Sequence, residues 1–371
     1  VAVGFQAGLV MTTGVQNTLV GGLAGDAFTD ADFNTAVGFG TLGADTLGSR
    51  SVAIGSSALG SQNFTTATDA YNVAVGVLAG SAVTTGIENT LIGGLAGDAL
   101  TTGQENVALG TFSLTTDTKG NKSVAVGRLA LADQNFTTAT DAYNVGVGFS
   151  AGGDITTGIV NTIIGGLAGD ALNVGQENVA LGYSALSTDT KGSHTTAIGK
   201  DALFSQNFTT ATDSHNTAVG HSAGLSVTTG INNTIVGSLA GDALTTGVQN
   251  TLIGASIAAE AVGSNNCVAL GFNLTAGAGF TTLGVDANDI RAAHGTATWA
   301  AVSDERYKKD ITDSTLGLSF INALKPRTFN YKTKGELPDT FRAYEEDSSE
   351  VYKSDKTQHG FAAQEVKAAI D

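Results

Sequence analysis

A short apolar run closed by glycine recurs along most of this chain, ending at Gly4, Gly21, Gly38, Gly55, Gly76, Gly93, Gly110, Gly127, Gly148, Gly165, Gly182, Gly199, Gly220, Gly237, Gly254 and Gly271. The intervals are 17, 17, 17 and 21, and this set repeats, so the pattern returns to itself at Gly4, Gly76, Gly148 and Gly220. A fixed short period is the mark of one small unit stacked on copies of itself, because no single unit can bury its own apolar face. The predicted architecture over residues 1–285 is therefore mainly β, a parallel β-roll or β-solenoid of about sixteen coils, and not a globular enzyme core.

Each coil carries a pentad such as Asn17-Thr18-Leu19-Val20-Gly21 or Asn72-Val73-Ala74-Val75-Gly76. The residue before each glycine is Val, Ile or Leu, and the residue two places earlier is Val or Thr in nearly all. β-branched residues at period two read as a strand, with these side chains assigned to the interior. Burying one Val or Ile stabilises by roughly 1.5–3 kcal/mol, so a coil alone is unstable and a stack is not. Alanine three places after most of the glycines, for instance Ala24, Ala58 and Ala79, fits a tight corner. The asparagines that open the pentads predict a ladder of amides along the axis.

Asp26, Asp98, Asp170 and Asp242 repeat once per full period and read as turn residues, since no calcium-binding nonapeptide accompanies them; no metal or cofactor is expected. The pairs Thr12-Thr13, Thr84-Thr85, Thr156-Thr157 and Thr228-Thr229 recur once per four coils, too sparsely for a regular lattice-binding face, and are assigned to turns. The longer coils, those of the 21 interval, hold near-identical inserts over 61–72, 133–144 and 205–216. Their Phe64, Phe136 and Phe208 have two readings: receptor contacts on a column of protruding loops, or rings folded back over the coil edge.

The formal net charge is −16, and no basic stripe is present, which argues against nucleic acid as partner. No apolar run is long enough to suggest membrane insertion, and Cys267 alone forms no intrachain disulfide. The five histidines are scattered and are taken as incidental. Charge density changes near Ser303: residues 303–371 hold 11 Lys/Arg and 13 Asp/Glu, as well as both prolines. Residues 286–302 are read as a linker. The chain starts inside a pentad at Val1, which reads as a fragment of a longer fibre.

The pentads with their alanine are similar to the head repeats of trimeric autotransporter adhesins, with a motif near NSVAIG, although the 17 and 21 spacing is longer than usual there. This similarity implies a trimeric left-handed parallel β-roll. From Thr298 the chain reads TWAAVSDERYKKDI, then LGLSFINALKPRTFNYK, then HGFAAQEVKAAI. In that order these segments resemble the C-terminal intramolecular chaperone of endosialidases, phage tail spikes and tail fibres, over residues 303–371, with the family's further helical portion missing. The resemblance implies a small α+β domain that drives trimerisation and, in many members, cuts itself off. The family's serine and lysine fall on Ser303 and Lys308, with the scissile bond at Ser303-Asp304. A serine hydroxyl needs a base to attack a carbonyl, and a lysine serves when its pKa is lowered by burial or by cations such as Arg306 and Lys309.

The local pattern adds a helix through Leu316, Phe320, Ile321 and Leu324 that stops before Pro326, a strand over 329–332 and an exposed, solvated loop over 339–358. Together these features suggest a segment of a phage tail fibre, extracellular on the virion. It forms a homotrimer, meets other tail proteins and a host-surface receptor, and carries an enzyme activity only toward its own chain. A bacterial trimeric surface adhesin and a glycan-cleaving tail spike are the alternatives. The second requires a pair of carboxylates that repeats this uniform do not display.

Overall fold

The computed structural model describes residues 1–295, 300–301, 318–340, 343–353 and 355–370. They fall into two compact units, Val1–Val302 and Ser303–Asp371. In the first, seventeen parallel strands from Ala2–Val3 to Phe280–Val285 stack one per coil. Their register is uninterrupted, running Leu19, Ala36, Ala53, Ala74, Leu91 along one column. One coil more than the glycine count predicted arises because Gly271 pairs with Gly284, a shorter step than any before it.

Each coil turns by placing residues in the left-handed region at three corners, as at Leu78 (φ 59°), Gly80 (φ 59°) and Glu88 (φ 60°). The glycine closing the strand is required by close approach as well as by conformation. Gly21 sits at φ +135°, and a Cβ on it would stand 2.3 Å from the carbonyl oxygen of Gly38. One alternation decides what fills the interior at the second corner. Coils with a left-handed Gly25, Gly80 or Gly97 bury an apolar residue three places on, Phe28, Val83 or Leu100. Coils with a left-handed Leu42 or Leu59 bury Asp45 or Gln62 in that place instead.

The strand faces are reversed relative to the sequence-based expectation. The middle residue of each strand, Leu19, Ala36, Ala53 or Leu91, is fully buried, whereas Val20, Ile54, Leu109 and Leu181 before the glycines are 38–42% exposed. The interior of a short coil already holds a Leu, Val or Phe from the corner, so only a small or single large side chain fits on the strand; the β-branched pair faces outward.

The asparagine ladder is present. The backbone N–H of Asn34 donates to Asn17 Oδ1 (2.9 Å), and that of Asn89 donates to Asn72 Oδ1 (2.9 Å). Each amide nitrogen donates to a corner carbonyl, Asn34 to Gly48 and Asn89 to Gly103. Every fourth coil lacks the asparagine and offers Ser51, Ser123, Thr195 or Cys267, whose N–H still caps the amide of the coil before.

Residues 286–295 and 300–301 are strand and turn rather than a linker. Asn288–Ala293 runs antiparallel to Phe280–Val285, and Ala300–Ala301 pairs back onto it. The hairpin satisfies the open edge that the last coil would otherwise leave. Beneath it Thr282 stands where the preceding coil has Ala269, and its buried Oγ1 has no hydrogen-bond partner. Thr282→Val is expected to stabilise the chain by about 1 kcal/mol by removing a desolvated hydroxyl, read as a higher urea midpoint; a lower midpoint would show that the hydroxyl has a role.

In the second unit the helix Leu318–Ala323 ends before Pro326 as predicted, with Leu316 outside the described residues. The predicted strand is displaced two places toward the N-terminus, to Arg327–Phe329, where it pairs antiparallel with Gln358–Gly360. A second helix spans Ala363–Ile370.

Candidate functional site

Ser303, Asp304, Arg306, Lys308 and Lys309 lie outside the described residues. The two downstream motif segments do meet. Arg327 of the KPRTFNYK segment grips Glu365 of the AQEV segment through both Nε and Nη2, tying strand to helix. This bidentate pair holds the Glu365 carboxyl below its ordinary range. The described residues of 339–358 are mostly exposed, as expected, and are tied down at several points. Lys334 Nζ lies 2.9 Å from Glu345 and 2.8 Å from Glu350, Thr333 bridges to Val351, and the Tyr331 ring meets Phe329 and Tyr352 edge-on.

In the solenoid the three inserts are built alike. Phe64, Phe136 and Phe208 are only 5–6% exposed, so these rings fold back over the coil edge, the second of the two readings. A carboxylate beneath each insert holds it. Asp45 Oδ1 accepts the N–H of Gly48 (3.0 Å) and of Phe64 (3.1 Å), while Gln62 donates to Oδ2 (2.6 Å). Asn72 then donates to Gln62 Oε1 (2.9 Å). Asp117–Gln134–Asn144 and Asp189–Gln206–Asn216 repeat the arrangement. Sequence reasoning missed this group, although Asp45, Asp117 and Asp189 stand one full period apart. The outward residues of the inserts are Thr65, Thr66, Ala67, Asp69 and Tyr71 and their equivalents.

A second recurring group stands on the left-handed corner before each ladder residue. Arg50 Nε pairs with Asp69 (2.9 Å) and Lys122 Nζ with Asp141 (2.7 Å). In the third period the cation is replaced by His194, whose Nδ1 and Nε2 face Asp213 (3.0 Å) and Glu177 (3.3 Å) while its ring packs on His215. These two histidines are therefore structural partners rather than incidental. Exposed pairs of this kind contribute about 0–1 kcal/mol each.

The threonine pairs sit at bends, as assigned, in a column denser than the pairs alone suggest. Thr12 donates to the carbonyl of Thr29, Thr29 to Thr46, and Thr84 to Thr101, so the first member of each pair belongs to a column filled by intermediate coils, with hydroxyls committed to backbone. Asp98 and Asp170 accept from Thr115 and Ser187 on the next coil. Burial, with Glu260 nearby, pushes the Cys267 thiol up to about 11, which keeps it protonated at neutral pH. Among the described residues no three His, Cys, Asp or Glu side chains converge on a metal position, and no helix is long and apolar enough to cross a membrane.

Among the described residues, the outer face of the long parallel sheet is uncovered. Val20, Ile54, Leu109, Leu181, Ile253 and Leu270 stand in one column on it, flanked by Thr and Val of the adjoining column. A contiguous apolar strip of this length is unusual on a free monomer and marks an interaction surface. No curated protein and no solved structure gives a match to this chain. Residues 303–371, directly after the solenoid unit, match the family model Peptidase_S74, the chaperone of endosialidase.

Proposed function

We propose that this chain is a segment of a bacteriophage tail fibre: a β-solenoid, akin to the heads of trimeric autotransporter adhesins, that presents a host-recognition surface and is assembled as a homotrimer by its C-terminal chaperone domain. The observation that carries this reading is the chaperone-family match over residues 303–371. The uncovered Val/Ile/Leu face supports the trimer, since three copies that bury it remove from water what one copy leaves exposed. The fibre works outside the cell, between other tail proteins and a surface receptor of the host.

In the same reading the domain releases itself. In the trimer the Ser303 hydroxyl of one chain passes its proton to Lys308 and attacks the Ser303 carbonyl of a neighbouring chain; the amine of Asp304 leaves with that proton, and water hydrolyses the ester and restores the hydroxyl. Assembly gates the step by bringing hydroxyl, lysine and carbonyl within about 2.6–3.2 Å. Sedimentation and intact mass of a full-length product test both claims. The expected species is a trimer: the wild type is cut between Ser303 and Asp304, while Ser303→Ala and Lys308→Ala stay whole and trimeric. A monomer after complete folding removes the fibre reading, and an uncut wild-type trimer removes only the protease.

A further inference from the structure

The corner residue that precedes each ladder position is left-handed in every coil, and asparagine, which tolerates that conformation, occupies it at Asn232 and Asn266. In the first two periods the same corner instead carries bulky side chains at the same kind of dihedral: Phe33 (φ 59°), Arg50 (φ 62°), Tyr71 (φ 49°) and Tyr143 (φ 50°). Elsewhere this left-handed corner holds Gln16, Glu88, Glu105, Val160 and Glu177, so what sets these positions apart is the side chains they present and not the dihedral.

The side chains are arranged as a platform. The guanidinium of Arg50 lies 4.9 Å from the centre of the Phe33 ring and 5.8 Å from that of Tyr71, and Asp69 fixes its Nε. Both rings remain about half exposed, at 45% and 51%. Phe33 and Tyr71 are two coils apart, about 10 Å at the usual strand spacing. One period further on, Lys122 is fixed by Asp141 and lies 5.3 Å from the centre of the Tyr143 ring, itself 51% exposed. Exposed flat rings beside fixed carboxylates and cations offer stacking for the C–H faces of sugars and partners for their hydroxyls. The acidic chain, at −16, disfavours a polyanion.

We infer that this ridge, with Tyr71 and Tyr143 as its principal rings, is a binding site for a neutral, hydroxyl-rich glycan chain. The inference rests on the fibre reading for its biological setting, and it identifies the surface and the ligand class that the reading leaves open. Two registers about 19 Å apart along each chain, multiplied by three chains, make binding multivalent.

The test is an array of neutral and acidic oligosaccharides probed with the full chain and with Tyr71→Asn/Tyr143→Asn, a variant that relieves backbone strain and preserves the fold. Binding to neutral members by the wild type, reduced at least tenfold in the variant, is the expected result. Binding confined to acidic members, binding unchanged in the variant, or absence of binding to any neutral member each overturns the site; retention of a protein receptor instead of a glycan does the same. Sedimentation of both proteins, run in parallel, reports the trimer independently, so loss of the ridge and loss of the fibre reading give different results.

Discussion

Gly165→Ala is expected to lower the denaturation midpoint of the solenoid more than any surface change, with a cost of roughly 3–6 kcal/mol from backbone strain and overpacking together. Gly165 has φ +136°, and a Cβ there would lie 2.4 Å from the carbonyl oxygen and 2.6 Å from the carbonyl carbon of Gly182. No side-chain rotation relieves a clash with backbone, so two coils would have to separate and lose their ladder. Gly279 is the control: it too is left-handed, at φ +74°, but nothing lies within 4 Å of its Cβ position. Gly279→Ala is expected to cost only about 1–2 kcal/mol. Equal urea midpoints for the two variants would refute the close-approach argument.

Asp45→Ala should be nearly as damaging, at about 3–5 kcal/mol. It strands the N–H groups of Gly48 and Phe64 and the amide of Gln62 in a buried place, and the insert loses its anchor. Faster amide exchange at Gly48 and Phe64 is the local readout. The pH response has a defined sign. Burial outweighs the donors and raises the Asp45 carboxyl above its ordinary value of 3.8. Between that ordinary value and the raised folded value the native state holds more protons than the unfolded chain, so this group's contribution to stability falls as pH rises through that window. Stability of the wild type relative to Asp45→Asn should therefore increase on acidification from neutral toward about pH 4. A decrease would mean that the ionised form is the better bound one.

Much of this fold is legible in the sequence because stacking repeats every requirement. The glycines, the corner alanines such as Ala24 and the asparagine ladder all follow from period and residue type. The inward face does not. Alternation alone cannot tell Leu19 from Val20, and the decision depends on corner residues such as Leu42 and Phe28 that compete for the same interior. Asp45 and Gln62 were illegible for a related reason: each looks like a surface residue until the adjacent coil supplies the other half of the pair. Phe64 was undecided for want of that anchor. The capping hairpin at Asn288–Ala293 is too short and too mixed in composition to declare itself without the edge it covers.

The breaks in the asparagine ladder impose a unit of growth. At Ser51 the amide is missing, and Gln62 of the following insert donates to Ser51 Oγ (3.3 Å) and accepts from Asn72, so the ladder restarts without an orphan; Gln134 and Gln206 do the same. Loss of the coil that carries Ser51 or of the one that carries Gln62 would separate the hydroxyl from its glutamine. Gain or loss of a whole four-coil block leaves every donor matched. A four-coil block, about 19 Å long, is therefore an increment by which a fibre of this design can grow or shrink with its hydrogen bonds intact, so unequal recombination between its own repeats would yield a graded set of reaches.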